Sequence, residues 1–226
     1  MKSTLPNPTR PRILIADDHA IFAETLRAYL EKTYAVIGTV ADGRAMLQEA
    51  IRLKPDVVVA DVSMPLLNGL DSARRIREQA PKVTFVFLTM LDDANLAAAA
   101  LELGRVAFVL KCCGGGEVIK AVEETLHGRS YMTPRLKAED WVAAKARARQ
   151  FSKELTERQR DFVQLFGEGR PLKEIAAVLN LSEKTVEFHK HHIMEAFSLK
   201  SNADLVLFAL KRGLITVKPE TYFLAS

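Results

Sequence analysis

Val57-Val58-Val59-Ala60-Asp61-Val62-Ser63-Met64-Pro65 is the stretch whose reading decides the fold of this chain. A short β-branched apolar run predicts a strand, and this one ends on a carboxylate followed by a Met-Pro turn. Comparable runs at 12–16, 35–40, 84–88 and 106–110 alternate with helical patterns near 19–31, 43–53, 69–79, 92–103 and 116–127, and Gly104 and Gly128 serve as helix stops. Five β/α units in succession predict an α/β fold with a parallel, doubly wound sheet and right-handed crossovers.

In an open sheet of that kind, ligands bind outside the carboxyl ends of the strands. Asp17 and Asp18 follow Ile13-Leu14-Ile15, Asp61 follows Val57-Val58-Val59, Thr89 follows Val86-Phe87-Leu88, and Lys111 follows Phe108-Val109-Leu110. These side chains should converge on one pocket holding three carboxylates, one hydroxyl and one ammonium. Carboxylates packed that closely repel one another unless a hard cation sits among them, and such a donor set suits Mg²⁺. Asp61 could then attack a phosphoryl donor and carry the group as an acyl phosphate, while cation, ammonium and hydroxyl spread the charge on the phosphoryl oxygens. Taken singly, an Asp at a strand end is ordinarily a cap or turn residue, so the weight rests on four groups at successive strand ends.

Ala16-Asp17-Asp18-His19, Asp61-Val62-Ser63-Met64-Pro65 with Asn68-Gly69, Leu88-Thr89-Met90 and Phe108-Val109-Leu110-Lys111 resemble a two-component receiver domain over residues 10–130. The resemblance implies a flavodoxin-like (βα)5 fold with strand order 2-1-3-4-5, which places Asp61 in the central crevice. It implies Asp61 as phospho-acceptor, Asp17, Asp18 and Asp61 as the Mg²⁺ site, Thr89 as the switch hydroxyl, Phe108 as the aromatic switch and Lys111 as the phosphate partner. A sensor histidine kinase would be the phosphodonor. Cys112-Cys113 followed by Gly114-Gly115-Gly116 departs from the family, and adjacent cysteines have the wrong spacing for zinc and poor geometry for a disulfide, so they read as free thiols.

The chain's 226 residues exceed the ~100–150 of a usual domain, and a hydrophobic content of 48% is enough for two cores. No run approaches the roughly 18 apolar residues of a membrane span, and Met1 to Pro11 is polar with no signal-peptide core, so a cytoplasmic protein that avoids membranes is expected. Residues 1–130 carry 16 Lys+Arg against 16 Asp+Glu, whereas 131–226 carry 16 against 12. The basic excess is all C-terminal, as a footprint for phosphate backbones would be.

From Tyr131 to Ser152 the chain is charged and alanine-rich around the single Trp141, with no strand pattern, and reads as a partly helical interdomain linker at 131–152. Thr156 and Gln159 then form a capping box for a helix bearing Phe162, Val163, Leu165 and Phe166. A short amphipathic helix from Lys173 to Leu179, a left-handed stop at Asn180 and a second helix from Leu181-Ser182 through Phe197 make a helix-turn-helix. Leu155-Thr156, Lys173-Glu174-Ile175-Ala176, Leu181-Ser182-Glu183-Lys184-Thr185-Val186 and the closing Ala209-Leu210 to Gly213-Leu214-Ile215 resemble the DNA-binding domain of NarL/FixJ/LuxR regulators, here a smaller all-α domain at 153–217. Gln159, Leu172 and Asn180 depart from the usual residues of that family.

In the second helix, Val186, Ile193 and Phe197 keep the helical repeat and should face the core, which turns Lys184, Glu187, Phe188 and His191 outward to read base edges. Lys173, Thr185, His189 and Lys190 are better placed for phosphates. A polar helix face alone is ordinarily a solvated face, and it is the order of motifs that gives this one a role. His189-Lys190-His191-His192 lacks the Cys or carboxylate partners of a zinc site. The reading is a phosphorylation-dependent, DNA-binding transcription regulator, not an enzyme, that dimerises when phosphorylated or bound to double-stranded DNA. A hydrolase with Asp61 as nucleophile would need an acid beside it, which Asp61-Val62-Ser63 does not offer, and a receiver acting only through protein partners leaves the helix-turn-helix unexplained.

Overall fold

The computed structural model describes residues 10–90, 94–134 and 155–216. Its N-terminal part runs β1 (Arg12–Ala16), α1 (Ala20–Leu30), β2 (Ala35–Val40), α2 (Gly43–Leu53), β3 (Val57–Asp61), α3 (Gly69–Gln79), β4 (Thr84–Thr89), α4 (Ala94–Leu101), β5 (Val106–Leu110), a 3-10 turn (Lys111–Cys113), α5 (Gly115–Leu126) and β6 (Tyr131–Met132). The sheet order is β2-β1-β3-β4-β5-β6, and every pairing is parallel.

Alternate residues along the strands feed opposite faces, as the pleat requires. Leu14, Val58, Phe85, Phe87 and Phe108 pack with Met46 and Ala50 of α2, Ala73 and Ile76 of α3, and Leu96 and Ala97 of α4. Ile13, Ile15, Val57, Val59, Val86 and Val109 pack on the other face with Leu26 and Leu30 of α1 and Val118 and Val122 of α5. Each such side chain contributes about 1.5–3 kcal/mol on leaving water, and all five residues of β3 are buried, which fixes the strand that carries Asp61.

The sixth strand corrects the sequence reading, which found no strand pattern from Tyr131 onward. Tyr131 pairs with Ala107 and Met132 with Phe108, while Leu110 N–H donates to Thr133 Oγ1 at 3.2 Å. Two residues are too few to display a period, and what orders them is the edge of β5, whose backbone groups they satisfy. Trp141 and the rest of the expected linker from residue 135 lie outside the described residues.

The C-terminal part is helical: α6 (Glu157–Gly167), α7 (Leu172–Leu179), α8 (Glu183–Ala196) and α9 (Asn202–Lys211). Phe162, Val163 and Leu165 meet Ile175 and Ala176, Val186 and Ile193, and Leu205 and Ala209 in a separate core. The Thr156–Gln159 capping box forms as expected, Asn180 ends α7 at φ 55°, and Ser182 accepts from Thr185 N–H to start α8. Each such N-cap contributes about 1 kcal/mol. A second capping box, Ser201 with Asp204, starts α9. Among the described residues, no helix is long and apolar enough to cross a membrane.

Candidate functional site

Register brings the strand ends together. Ala16 pairs with Ala60, Asp61 with Leu88, and Thr89 with Leu110, so Asp17, Asp61, Thr89 and Lys111 emerge from four adjacent strands at one edge of the sheet. Lys111 Nζ lies 2.7 Å from Asp17 Oδ2 and 2.8 Å from Asp61 Oδ2. Its ammonium is also 4.6 Å from the centre of the Phe22 ring. Ser63 N–H donates to Asp61 Oδ1 at 3.0 Å, and His19 N–H to Asp17 Oδ1 at 2.9 Å. Gly69 makes the turn possible, because a Cβ there would stand 2.2 Å from the Asp61 carbonyl oxygen.

The electrostatics are those of too many carboxylates for one ammonium. Burial pushes the Asp61 carboxyl above its ordinary value; Lys111 and the Ser63 N–H pull it back, and Asp17 pushes it up again. Burial alone would lower the Lys111 ammonium, but Asp61 and the bonds to both carboxylates more than offset this and raise it. One donor atom each from Asp17, Asp18, His19 and Asp61 lies within 4.8 Å of the others. Three carboxylates converge there, two of them buried, with one ammonium to balance them. That donor set fits a hard divalent cation.

Thr89 is buried at the end of β4, and Phe108 is fully buried in the core that includes Leu96, Ala97 and Ala100 of α4. Neither Cys112 nor Cys113 is in a disulfide; both lie in the 3-10 turn after Lys111, and burial followed by the neighbouring Cys112 raises the Cys113 thiol.

On α8, Lys184, Glu187, Phe188 and His191 are exposed, Phe188 to 66%, while Val186 and Ile193 are buried. His192 is exposed too, with its ring stacked on Phe188 at 6.1 Å; the sequence reading gave it no role, although it lies four residues beyond Phe188. Lys173 is exposed at the start of α7. Thr185 and His189 are half-buried. Lys190 is half-buried as well, its ammonium 5.2 Å from the centre of the Phe166 ring.

The two parts meet at the loop that leaves Asp61. Gln164 of α6 accepts from Asn68 N–H at 2.9 Å and donates to the Met64 carbonyl at 3.1 Å, and Glu168 accepts from Leu66 N–H at 3.1 Å. Leu66 has φ 67°, a conformation that costs an L-residue about 1–3 kcal/mol, and its side chain is packed against the C-terminal core. Arg160 pairs with Asp71 at 2.9 Å, Arg75 with Asp161 at 2.6 Å, and Arg44 donates to the Val178 carbonyl at 2.9 Å. Sequence reasoning missed this seam. Its one signal is the spacing of Arg160, Gln164 and Glu168 by fours along α6, a polar stripe that elsewhere would simply face water.

A parallel α/β domain with an acidic pocket at its strand ends, followed by a helix-turn-helix, has the architecture of a DNA-binding response regulator. Residues 13–123 match the response regulator receiver domain, and residues 153–209 match the luxR family of bacterial regulatory proteins. The oxygen regulatory protein NreC of Staphylococcus carnosus (strain TM300) is 33% identical over 214 residues, covering 90% of this chain and 99% of NreC. NreC of Staphylococcus epidermidis is 33% identical over 215 residues with the same coverage. Among solved structures, RcsB of Salmonella enterica serovar Typhimurium, bound to a promoter in the presence of a phosphomimetic, has 26% identity and a TM-score of 0.57 over 92% of this chain and 100% of RcsB. A structure of two RcsB dimers bound to two parallel DNAs has 25% identity and a TM-score of 0.53 over 90% and 99%. The chain belongs to the NarL-type response regulators, transcription regulators that join a receiver domain to a LuxR-type helix-turn-helix domain.

Proposed function

We propose that Asp61 is the phospho-acceptor of this regulator and that its phosphorylation by a sensor histidine kinase controls dimerisation or DNA binding by α8. The observation that carries the reading is the placement of Asp61: one carboxylate oxygen is on the Lys111 ammonium, and the loop beyond it is held by Gln164 and Glu168 of the DNA-binding domain. A chemical change at Asp61 therefore acts at the root of the interdomain seam. We place the receiver from residue 10 through the edge strand Tyr131–Met132, the linker beyond that strand up to 152, and the DNA-binding domain at 153–217.

In the transfer, a carboxylate oxygen of Asp61 attacks phosphorus as the bond to the donor histidine nitrogen breaks, and that nitrogen leaves with the bonding pair. Asp17, Asp18 and Asp61 would hold Mg²⁺, which supplies charge neutralisation when bound. Lys111 moves from balancing two carboxylates to balancing the phosphoryl oxygens. Thr89, at the end of the neighbouring strand, offers a hydroxyl to the same group, and a shift of Thr89 repacks Phe108 and α4. On the DNA side, Lys184, Glu187, Phe188 and His191 would read bases in the major groove, while Lys173, Thr185, His189 and Lys190 would bind phosphates. Membership of a family of transcription regulators supports a carrier of phosphate rather than a hydrolase, and work on DNA supports a cytoplasmic location.

The test is self-labelling from acetyl phosphate. The wild type gains one phosphoryl group by intact mass when Mg²⁺ is present and none in excess chelator, and Asp61→Asn gains none. Undiminished label on Asp61→Asn would assign the acceptor elsewhere.

A further inference from the structure

We infer that His19 is a nitrogen ligand to the divalent cation of the acidic pocket, and that it biases the site from Mg²⁺ towards transition ions that accept imidazole more readily, Mn²⁺ among them. The inference rests on the reading that the pocket holds a cation at all, and goes beyond it by naming a fourth donor. His19 Nδ1 lies 3.3 Å from Asp17 Oδ1, 3.1 Å from Asp18 Oδ1 and 3.9 Å from Asp61 Oδ2. On an octahedral ion with ligands at about 2.1 Å, neighbouring donors stand about 3.0 Å apart and opposite donors about 4.2 Å. Those three separations match two neighbouring edges and a nearly opposite pair, and one donor atom from each of the four residues lies within 4.8 Å of the others.

The chain holds the imidazole there. His19 is the N-cap residue of α1, yet its side chain makes no cap hydrogen bond to the helix. Its own N–H is tied to Asp17 Oδ1, which brings the ring over the pocket. Lys111 approaches Asp17 through the other oxygen, Oδ2, and of the donor atoms that face the imidazole it shares only Asp61 Oδ2, 2.8 Å from its ammonium. The His19 side chain is 34% exposed, which leaves the ion a route to solvent. Carboxylates alone suit Mg²⁺, Ca²⁺ and Mn²⁺, and one imidazole added to them favours the transition ions of that range.

Pulsed electron paramagnetic resonance of the full-length protein loaded with Mn²⁺ tests this, beside competition of Mg²⁺ against Mn²⁺. The wild type should show nitrogen modulation from a directly bound imidazole. His19→Asn, which places a favoured N-cap residue at the same position, should still bind Mn²⁺ without that modulation, and its preference for Mn²⁺ over Mg²⁺ should fall by roughly tenfold. Bound Mn²⁺ with no nitrogen modulation in the wild type, or an unchanged preference in His19→Asn, would reduce His19 to an ion-pair partner of the carboxylates and overturn the inference. A different result, Mn²⁺ affinity unaffected by Asp61→Asn, would show that the cation lies outside the pocket and would remove both readings together.

Discussion

At the scale of single residues, Lys111 decides how the acceptor site is balanced, because one ammonium serves two carboxylates buried within 2.8 Å of it. Lys111→Met leaves Asp17 and Asp61 facing each other. Breaking a fully enclosed pair costs about 3–5 kcal/mol, and the opening on the His19 side should reduce this to roughly 1–3 kcal/mol. Burial already raises Asp61, and losing Lys111 raises it further. A carboxyl whose folded value is raised contributes stability that is full below its unfolded value and lost as pH rises through the folded one. Lys111→Met should therefore lose more thermal stability than the wild type as pH rises from the acid range to neutrality. Melting temperatures measured across that range check it, and parallel curves for the two proteins would contradict the shared-ammonium account.

At the scale of elements, α8 separates reading from holding. Glu187 is exposed on the outward stripe, whereas Lys190 is half-buried against Phe166. Glu187→Ala should change the preferred base at one half-site position, at a cost of about 1–3 kcal/mol for the favoured site, while Lys190→Ala should weaken all sites alike and lower the salt slope by about one. Binding selections on a randomised operator distinguish these outcomes, and identical preferences for wild type and Glu187→Ala would mean that another face of the helix enters the groove. The strands, α8 and the capping box at Thr156 were legible in the sequence because each is a local pattern: β-branched runs, a helical repeat, a hydroxyl three residues before a glutamine. The strand ends carried the pocket for the same reason, since parallel register turns sequence position into spatial position. The strand at Tyr131 and the place of His19 were not legible. Two edge residues show no period, and a histidine after an acidic pair takes its meaning from the turn that swings its ring back over them.

At the scale of the whole molecule, the seam between the domains joins Asn68 and Asp71 to Gln164 and Arg160, all long-range contacts that no local pattern encodes. Burial would raise the Asp71 carboxyl, but Arg160, Arg74 and the Asn68 side chain together bring it below its ordinary 3.8. A depressed carboxyl contributes stability above its unfolded value and loses it as pH falls through the folded one, so this part of the seam holds at neutrality and loosens only in strong acid. Asp161 acts in the opposite sense, since burial raises it despite Arg75, and its contribution fades as pH rises. Arg160→Ala should open the seam at neutral pH by removing a partner of a buried carboxylate, seen as faster amide exchange at residues 64–71 and α6 with the receiver sheet unchanged. Unchanged exchange at those positions would show that Arg160 does not hold the domains.

The central claim is that phosphate on Asp61 is transmitted to the DNA-binding domain. Fluorescence anisotropy on one operator, recovered by selection with the full-length protein, tests it most directly when wild type and Asp61→Asn are each titrated with and without acetyl phosphate and Mg²⁺. Tighter binding of the phosphorylated wild type, at least tenfold or about 1.4 kcal/mol, with no response from Asp61→Asn, is the predicted result. Equal affinities for phosphorylated and unphosphorylated wild type, with phosphate verified on Asp61, would contradict the account.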